Sequence, residues 1–446
     1  MKKLQTKRQM FVYAISGMGV NMLNLMMGSY LCSAILIGGF GEAAVRNQTF
    51  EGHDLVIAAL WAVFGLIAKI VDGIIDIPMA SFTDRLKTRW GRRRPALVIG
   101  MIPMILSFLA FLLWCPNPGA ATLLNTVYYG IVLCIFYSSY TLTMVTYYAT
   151  FTEIVDSEES RDFISNVKAV FDIVYFILGY VVVSAMLGGL HLRVVGLIVL
   201  PIVLTMLIPL FMIKESRDEI GSTGSGESVN LIKSLVCTFR NKNYVVWMFV
   251  YSFMTFGVQL FLSGINEYFS KTGMSMIFVM IAAFAPVPLT LVLYNKILRK
   301  KGFGFAFRYT LLIFGVGMGA MFAVSFLDAG TLKTVLSVCT GLISSFGIGS
   351  LFAVAYSVPA ELAAEEEQKT GISNSAMYFA VQGLFSGVAT GIGGSVVLTA
   401  LKGTEAHPTN NIIYLTLICA IAMIAACALT WVLPKSIILM GKKQDK

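Results

Sequence analysis

Long apolar runs alternate with short polar segments along nearly the whole chain. Twelve of the runs reach about 20 residues, the length an α-helix needs to cross a bilayer core. Their limits fall near 10–38, 55–80, 96–115, 121–151, 164–188, 193–213, 244–269, 274–297, 305–327, 332–358, 373–401 and 411–433. The runs are continuous rather than alternating, so they predict spanning helices and not barrel strands. The expected fold class is an all-α membrane protein with twelve transmembrane helices in two six-helix halves. The division falls at 214–243, where Gly221-Ser-Thr-Gly-Ser-Gly226 reads as a flexible linker and 231–239 as a short amphipathic stretch. That leaves an N-terminal half at 1–213 and a C-terminal half at 244–446. A weak echo supports two related halves: Asp84-Arg85-Leu-Lys87 follows span 2, and Asn295-Lys296-Ile-Leu-Arg299 follows span 8.

Composition agrees with the pattern. Hydrophobic residues make up 57% and charged residues 13%, where soluble domains carry about 25% charged. The net charge of +9 does not imply a nucleic-acid partner, because 27 of the 33 lysines and arginines fall in the two tails and at those ends of the spans that share a side with them. That asymmetry predicts both termini on the cytoplasmic side. The basic N-terminus precedes a run too long for a signal peptide and reads as an uncleaved first span. The seven cysteines are scattered, with no CxxC pair, and read as packing residues.

Span 2 breaks its own pattern. It carries Lys69, Asp72 and Asp76, and offsets of three, four and seven put all three on one side of the helix. A central charge costs about 2.5–3.5 kcal/mol on insertion scales, so that side must face protein or water. Two readings are open. A buried Lys–Asp pair would tie two helices together. Alternatively, the two carboxylates, one turn apart, would share a cation or a proton, since one lysine cannot neutralise both.

Other polar residues in the spans suggest a cavity for a small solute rich in hydroxyls, which needs aromatic faces and side-chain donors and acceptors. Span 4 offers Tyr137, Tyr140, Thr141, Tyr147 and Tyr148 on one broad face. Span 1 offers Asn21 and Asn24, span 5 offers Lys168, Asp172 and Tyr175, and span 7 offers Gln259 and Asn266, seven apart. For single amides the alternative is a hydrogen bond between helices; for Lys168–Asp172 it is a local ion pair. The basic turn 84–94 reads as a gating and topology device, with Asp84 and Arg85 paired to the loop after span 10, where Glu361 or Glu365–Glu367 are candidates. Nothing points to chemistry: there is no phosphate-binding GxxxxGK[ST], no HExxH, and the three histidines lie far apart. No cofactor and no resident metal are expected beyond a Na⁺ at the carboxylates.

The stretch Asp72-x3-Asp76 followed by Thr88-Arg89-Trp90-Gly91-Arg92-x-Arg94-Pro95 resembles the glycoside–pentoside–hexuronide:cation symporters, a branch of the major facilitator superfamily. A looser match is Pro359-Ala-Glu361…Lys369-Thr370-Gly371, followed by Tyr378 and Gln382. The resemblance implies cation-coupled transport by alternating access. It puts the cation on Asp72, Asp76 and Thr141, with Na⁺ or H⁺ as the coupling ion. The intervening polar position falls on Ile75. Family solute positions fall on Asn21, Met144, Tyr148, Phe352, Gln382 and Gly387, and a basic residue of span 5 is loosely matched by Lys168, with Asp172 beside it. Both family acids of the solute site, in spans 1 and 4, are replaced here, by Asn21 and Met144. Gating is assigned to Lys69, Asp84, Arg85, Arg92 and Glu361. The reading is a non-enzymatic symporter of a sugar-like solute, a monomer in the bacterial inner membrane in contact with lipid. The alternatives are a carrier of an amphiphilic or lipid-like solute and a receptor that transports nothing.

Overall fold

The computed structural model describes residues 6–86, 88, 90–91, 93–154, 158–213, 241–370 and 375–442. Several side chains inside the helices, including those of Asp76, Asp84, Arg85 and Phe352, lie outside the described part, as do Arg92 and most of the 214–243 linker. Twelve helices among the described residues are long and apolar enough to cross a membrane. The contacts divide the chain into two units, Met1–Ile37 with Ala44–Gly226, and Gly38–Ala43 with Glu227–Lys446.

In the first unit the spans are Lys7–Leu31, Ala58–Ile75, Arg93–Leu113, Leu123–Thr150, Val170–Leu187 and Leu192–Met212. Polar residues cap the start of spans 1 and 4. Thr6 and Gln9 form a reciprocal capping box at span 1, and Thr122 accepts from the Asn125 N–H at span 4. Span 1 is shorter than its apolar run. Its last turn, Met26–Leu31, is a π-helix, and the chain then turns through 32–35. Ile35 and Leu36 are fully buried, and the carbonyls of Ala34 and Ile35 accept from the Phe50 and Leu55 N–H groups. The apolar tail of the run therefore covers protein, not lipid.

Spans 2 and 4 approach closely at Gly130. A Cβ there would lie 2.4 Å from the Phe64 ring, so no larger residue fits unless that ring or one of the helices shifts. The helix of span 2 continues to Arg85, and the basic turn that follows is tied into its own unit. Arg93 donates to Thr83 Oγ1 at 3.2 Å, and Arg94 donates to the Leu210 carbonyl at the end of span 6 at 2.8 Å.

In the second unit the spans are Lys242–Ser263, Met276–Lys301, Phe303–Ser325, Thr331–Ile348, Val381–Lys402 and Asn411–Val432. Three expectations change here. Span 7 stops at Ser263, and residues Ile265–Thr272 form a separate helix after Gly264. Gln259 and Asn266 thus do not share one helical face. A Cβ at Gly264 would come within 2.3 Å of Leu415 and 2.6 Å of Leu398, so the break lies in a tightly packed corner. Span 8 is interrupted at Ala285-Pro286, where proline withholds its N–H from the ladder. Glu361 does not lie in a loop: the helix of span 10 runs unbroken over Thr331–Thr370. At 1.5 Å per residue that is about 60 Å, twice a bilayer core. The added length is Ala360-Glu-Leu-Ala-Ala-Glu-Glu-Glu-Gln, strong helix formers that keep the helix going beyond the apolar window.

Candidate functional site

Two polar clusters form in the first unit, both against span 4. In the first, Thr141 Oγ1 donates to Asp72 Oδ1 at 2.7 Å. Lys69 Nζ stands 3.5 Å from the other oxygen, Oδ2, and 3.6 Å from the centroid of the Tyr137 ring. Lys69 and Asp72 are one helical turn apart, so their shared face brings them together. Their side chains are 17% and 25% exposed. At an effective dielectric near 20 the attraction is about 4 kcal/mol before the cost of desolvation. Thr141 is buried, and Tyr137 is held by an edge-on contact with Phe136. Lys69 and Asp72 thus meet as the spacing suggests, and Thr141 joins Asp72 as the family resemblance implies. The Asp76 side chain is not described, although its backbone continues the same helix.

The second cluster joins spans 1, 4 and 5. Lys168 Nζ donates to Asp172 Oδ2 at 2.5 Å and lies 5.3 Å from the Tyr148 ring. Asn21 donates to Asp172 Oδ1 at 3.5 Å, and the Tyr140 hydroxyl donates to Asn21 Oδ1 at 3.1 Å. Tyr148 is 41% exposed, so one face of this cluster is open. The local ion pair exists, but it also belongs to a wider polar array. Asp172 supplies a carboxylate from span 5 beside Asn21, where the family resemblance leads one to expect an acid on span 1. The sequence did not show that link, because it joins residues 151 positions apart.

The remaining assigned residues behave differently. Gln382 is buried in the second unit and accepts from Trp247 Nε1 at 2.8 Å, a contact between spans 11 and 7. Glu361 is exposed on its helix. Met144 and Tyr147 are buried in packing; the Tyr147 ring stacks on Tyr13. Among the described residues, no group of three or more His, Cys, Asp or Glu could hold a metal ion.

One ionic feature was missed altogether. Lys402 Nζ lies 2.6 Å from Glu267 Oε1, with the two side chains 2% and 0% exposed, and the Phe40 ring centroid is 5.1 Å from the ammonium. The signal was present in the sequence. Glu267 stands near the end of an apolar run, and an acid there demands a partner.

The family model for MFS/sugar transport proteins matches residues 12–434. The chain belongs to this family. It is an integral, multi-pass membrane protein with the major facilitator fold, as the motif at 72–95 implied. An uncharacterised symporter from Synechocystis sp. is 31% identical over 164 residues, which span 34% of this chain and 30% of that protein. Solved structures of the same fold include a D323A mutant of the nucleoside transporter NupG, with a TM-score of 0.65, 14% identity, and coverage of 96% of this chain and all of that one. The inward-open xylose transporter XylE from E. coli gives a TM-score of 0.61 at 13% identity, covering 96% of this chain and 95% of that one.

Proposed function

We propose that this protein is a cation-coupled symporter that carries a glycoside or related sugar-like solute by alternating access. The observation that carries the reading is the Asp72–Thr141 hydrogen bond at 2.7 Å between spans 2 and 4. An acid kept inside a membrane helix and bonded to a hydroxyl, with a second acid four residues on in the sequence, is suited to accept and release a positive charge. Asp72, Asp76 and Thr141 are the proposed coupling site, for Na⁺ or H⁺. The solute is proposed to bind at the open face of the second cluster, Asn21, Tyr148, Lys168 and Asp172. A carboxylate, an amide and an ammonium there supply acceptors and donors for hydroxyls, and Tyr148 supplies a stacking face. The membrane set by this reading is the bacterial inner membrane, with both termini cytoplasmic and the protein acting as a monomer.

The matched family and the symporter relative support a carrier over a receptor or an enzyme. A membrane potential of about 100 mV supplies about 2.3 kcal/mol per charge, enough for roughly 50-fold accumulation. The test is uptake of a panel of radiolabelled glycosides into proteoliposomes under imposed Na⁺ or pH gradients. At least one glycoside should accumulate above equilibrium under one of the gradients. Asp172→Asn should raise the KM for it about tenfold or more, the loss of one charged hydrogen bond. Uptake that never exceeds equilibrium under either gradient contradicts the proposal.

A further inference from the structure

The connector between spans 1 and 2 is shared out between the two units. Its start, up to Ile37, and its end, from Ala44, belong to the first; Gly38–Ala43 belongs to the second. The flanks are tied into the first unit. Phe50 and Leu55 donate to the Ala34 and Ile35 carbonyls, each at 3.0 Å, and the Ile37 N–H donates to Asp54 Oδ1 at 2.8 Å. Farther along, Asn47 donates to the Leu187 carbonyl at 3.1 Å.

The residues between these ties form a strap on the second unit. Phe40 is buried, with its ring 5.1 Å from the Lys402 ammonium, within cation–π range. The Gly41 N–H donates to Ser270 Oγ at 3.1 Å. A Cβ on Gly38 would come 2.6 Å from the Gly403 carbonyl oxygen, and one on Gly41 would come 2.6 Å from that of Ser270. The strap therefore lies backbone to backbone on the end of span 11 and on the helix Ile265–Thr272, against the enclosed Lys402–Glu267 pair.

Ile37 and Gly38 are consecutive, so no slack separates the two attachments. A carrier of this plan rocks its halves against one another, and one attachment must then give. The flank is held by hydrogen bonds among buried residues, Ile35, Asp54 and Leu55. The strap meets its seat through glycines, which have no side chains to interlock. Lifting it also lets water reach Lys402 and Glu267, which returns part of the desolvation cost of the pair. The strap is the attachment built to let go.

We infer that Gly38–Ala43 is a clasp on the second unit, closed over Lys402 in this structure and lifted from it during the transport cycle. Phe40 is its contact with the ammonium, and Glu267 holds that ammonium in place when the ring leaves. The inference rests on the reading of the protein as an alternating-access carrier and adds a moving part to it.

Two measurements test it. The first acylates the wild-type protein in lipid nanodiscs with a water-soluble succinimidyl ester and follows Lys402 and the exposed Lys271 by peptide mass spectrometry. Lys402 should react at least about tenfold more slowly than Lys271, since it is reached only through a local opening. About 2 M urea should change its rate by less than about twofold, because lifting the strap uncovers little surface. Gly41→Val, which collides with the Ser270 carbonyl, should raise the Lys402 rate at least about tenfold and leave Lys271 unchanged. Lys402 that reacts only as urea unfolds the protein overturns the inference, and so does a Gly41→Val rate equal to wild type. If Gly41→Val does not purify, the wild-type urea series decides. The second measurement joins Glu42→Cys to Lys271→Cys with a short bis-maleimide. Both positions are exposed and stand next in sequence to Gly41 and Ser270. The joined protein should take up glycoside at least about tenfold more slowly than either single variant treated alike, because closure of the strap blocks a step that the cycle needs. Unchanged uptake by the joined protein overturns the inference. Uptake absent from every protein, untreated wild type included, contradicts the symporter reading instead, and the lysine rates then decide whether the strap lifts.

Discussion

At the scale of single residues, burial decides which charges matter. Arg193 and Glu51 meet at 2.8 Å, but both are close to one-third exposed. Such a pair contributes about 0–1 kcal/mol. Lys402 and Glu267 are almost wholly enclosed. Removing one partner there strands the other charge, at about 3–5 kcal/mol. Lys402→Met should therefore lower the thermal midpoint of the purified protein by several degrees, and Lys402→Met with Glu267→Leu should recover most of the loss. Scanning fluorimetry reads both; a Lys402→Met protein as stable as wild type would mean the pair is dispensable. Which residues meet was only partly legible. Lys69 and Asp72 are neighbours by helix periodicity alone, so the sequence suffices for them. Asn21 with Asp172, Lys69 with Tyr137, and Lys402 with Glu267 depend on how helices pack, and no spacing rule reaches across that distance.

At the scale of elements, spans are set by apolar length, and their ends by what else the chain does there. Runs that face lipid along one side and end at charges are placed well. The run at 193–213 is the helix Leu192–Met212, and the run at 305–327 is Phe303–Ser325. The pattern misleads where apolar residues cover protein, as Ile35 and Leu36 do, and where helix formers carry a helix past its apolar window, as after Pro359. It is also silent on how closely two spans approach. The contact of Gly130 with Phe64 is one such place. Gly130→Leu should force spans 2 and 4 apart, at about 1–3 kcal/mol or more for overpacking. Asp72 and Thr141 sit on those same two helices, so solute uptake should fall along with thermal stability. A Gly130→Leu protein with unchanged midpoint and uptake would contradict the close approach.

At the scale of the molecule, the twelve-span plan and the membership of the MFS/sugar transport family follow from features spread along the whole chain, which is why the sequence carries them clearly. The central claim is narrower: that Asp72 couples an ion to the movement of solute. A coupling acid can be removed without removing the path of the solute. The most direct measurement compares two activities of Asp72→Asn in proteoliposomes, exchange of labelled for unlabelled glycoside at equilibrium, and accumulation under an imposed ion gradient. The account predicts that exchange persists within a few-fold of wild type while accumulation falls to the equilibrium level. Accumulation at the wild-type ratio in Asp72→Asn would contradict it.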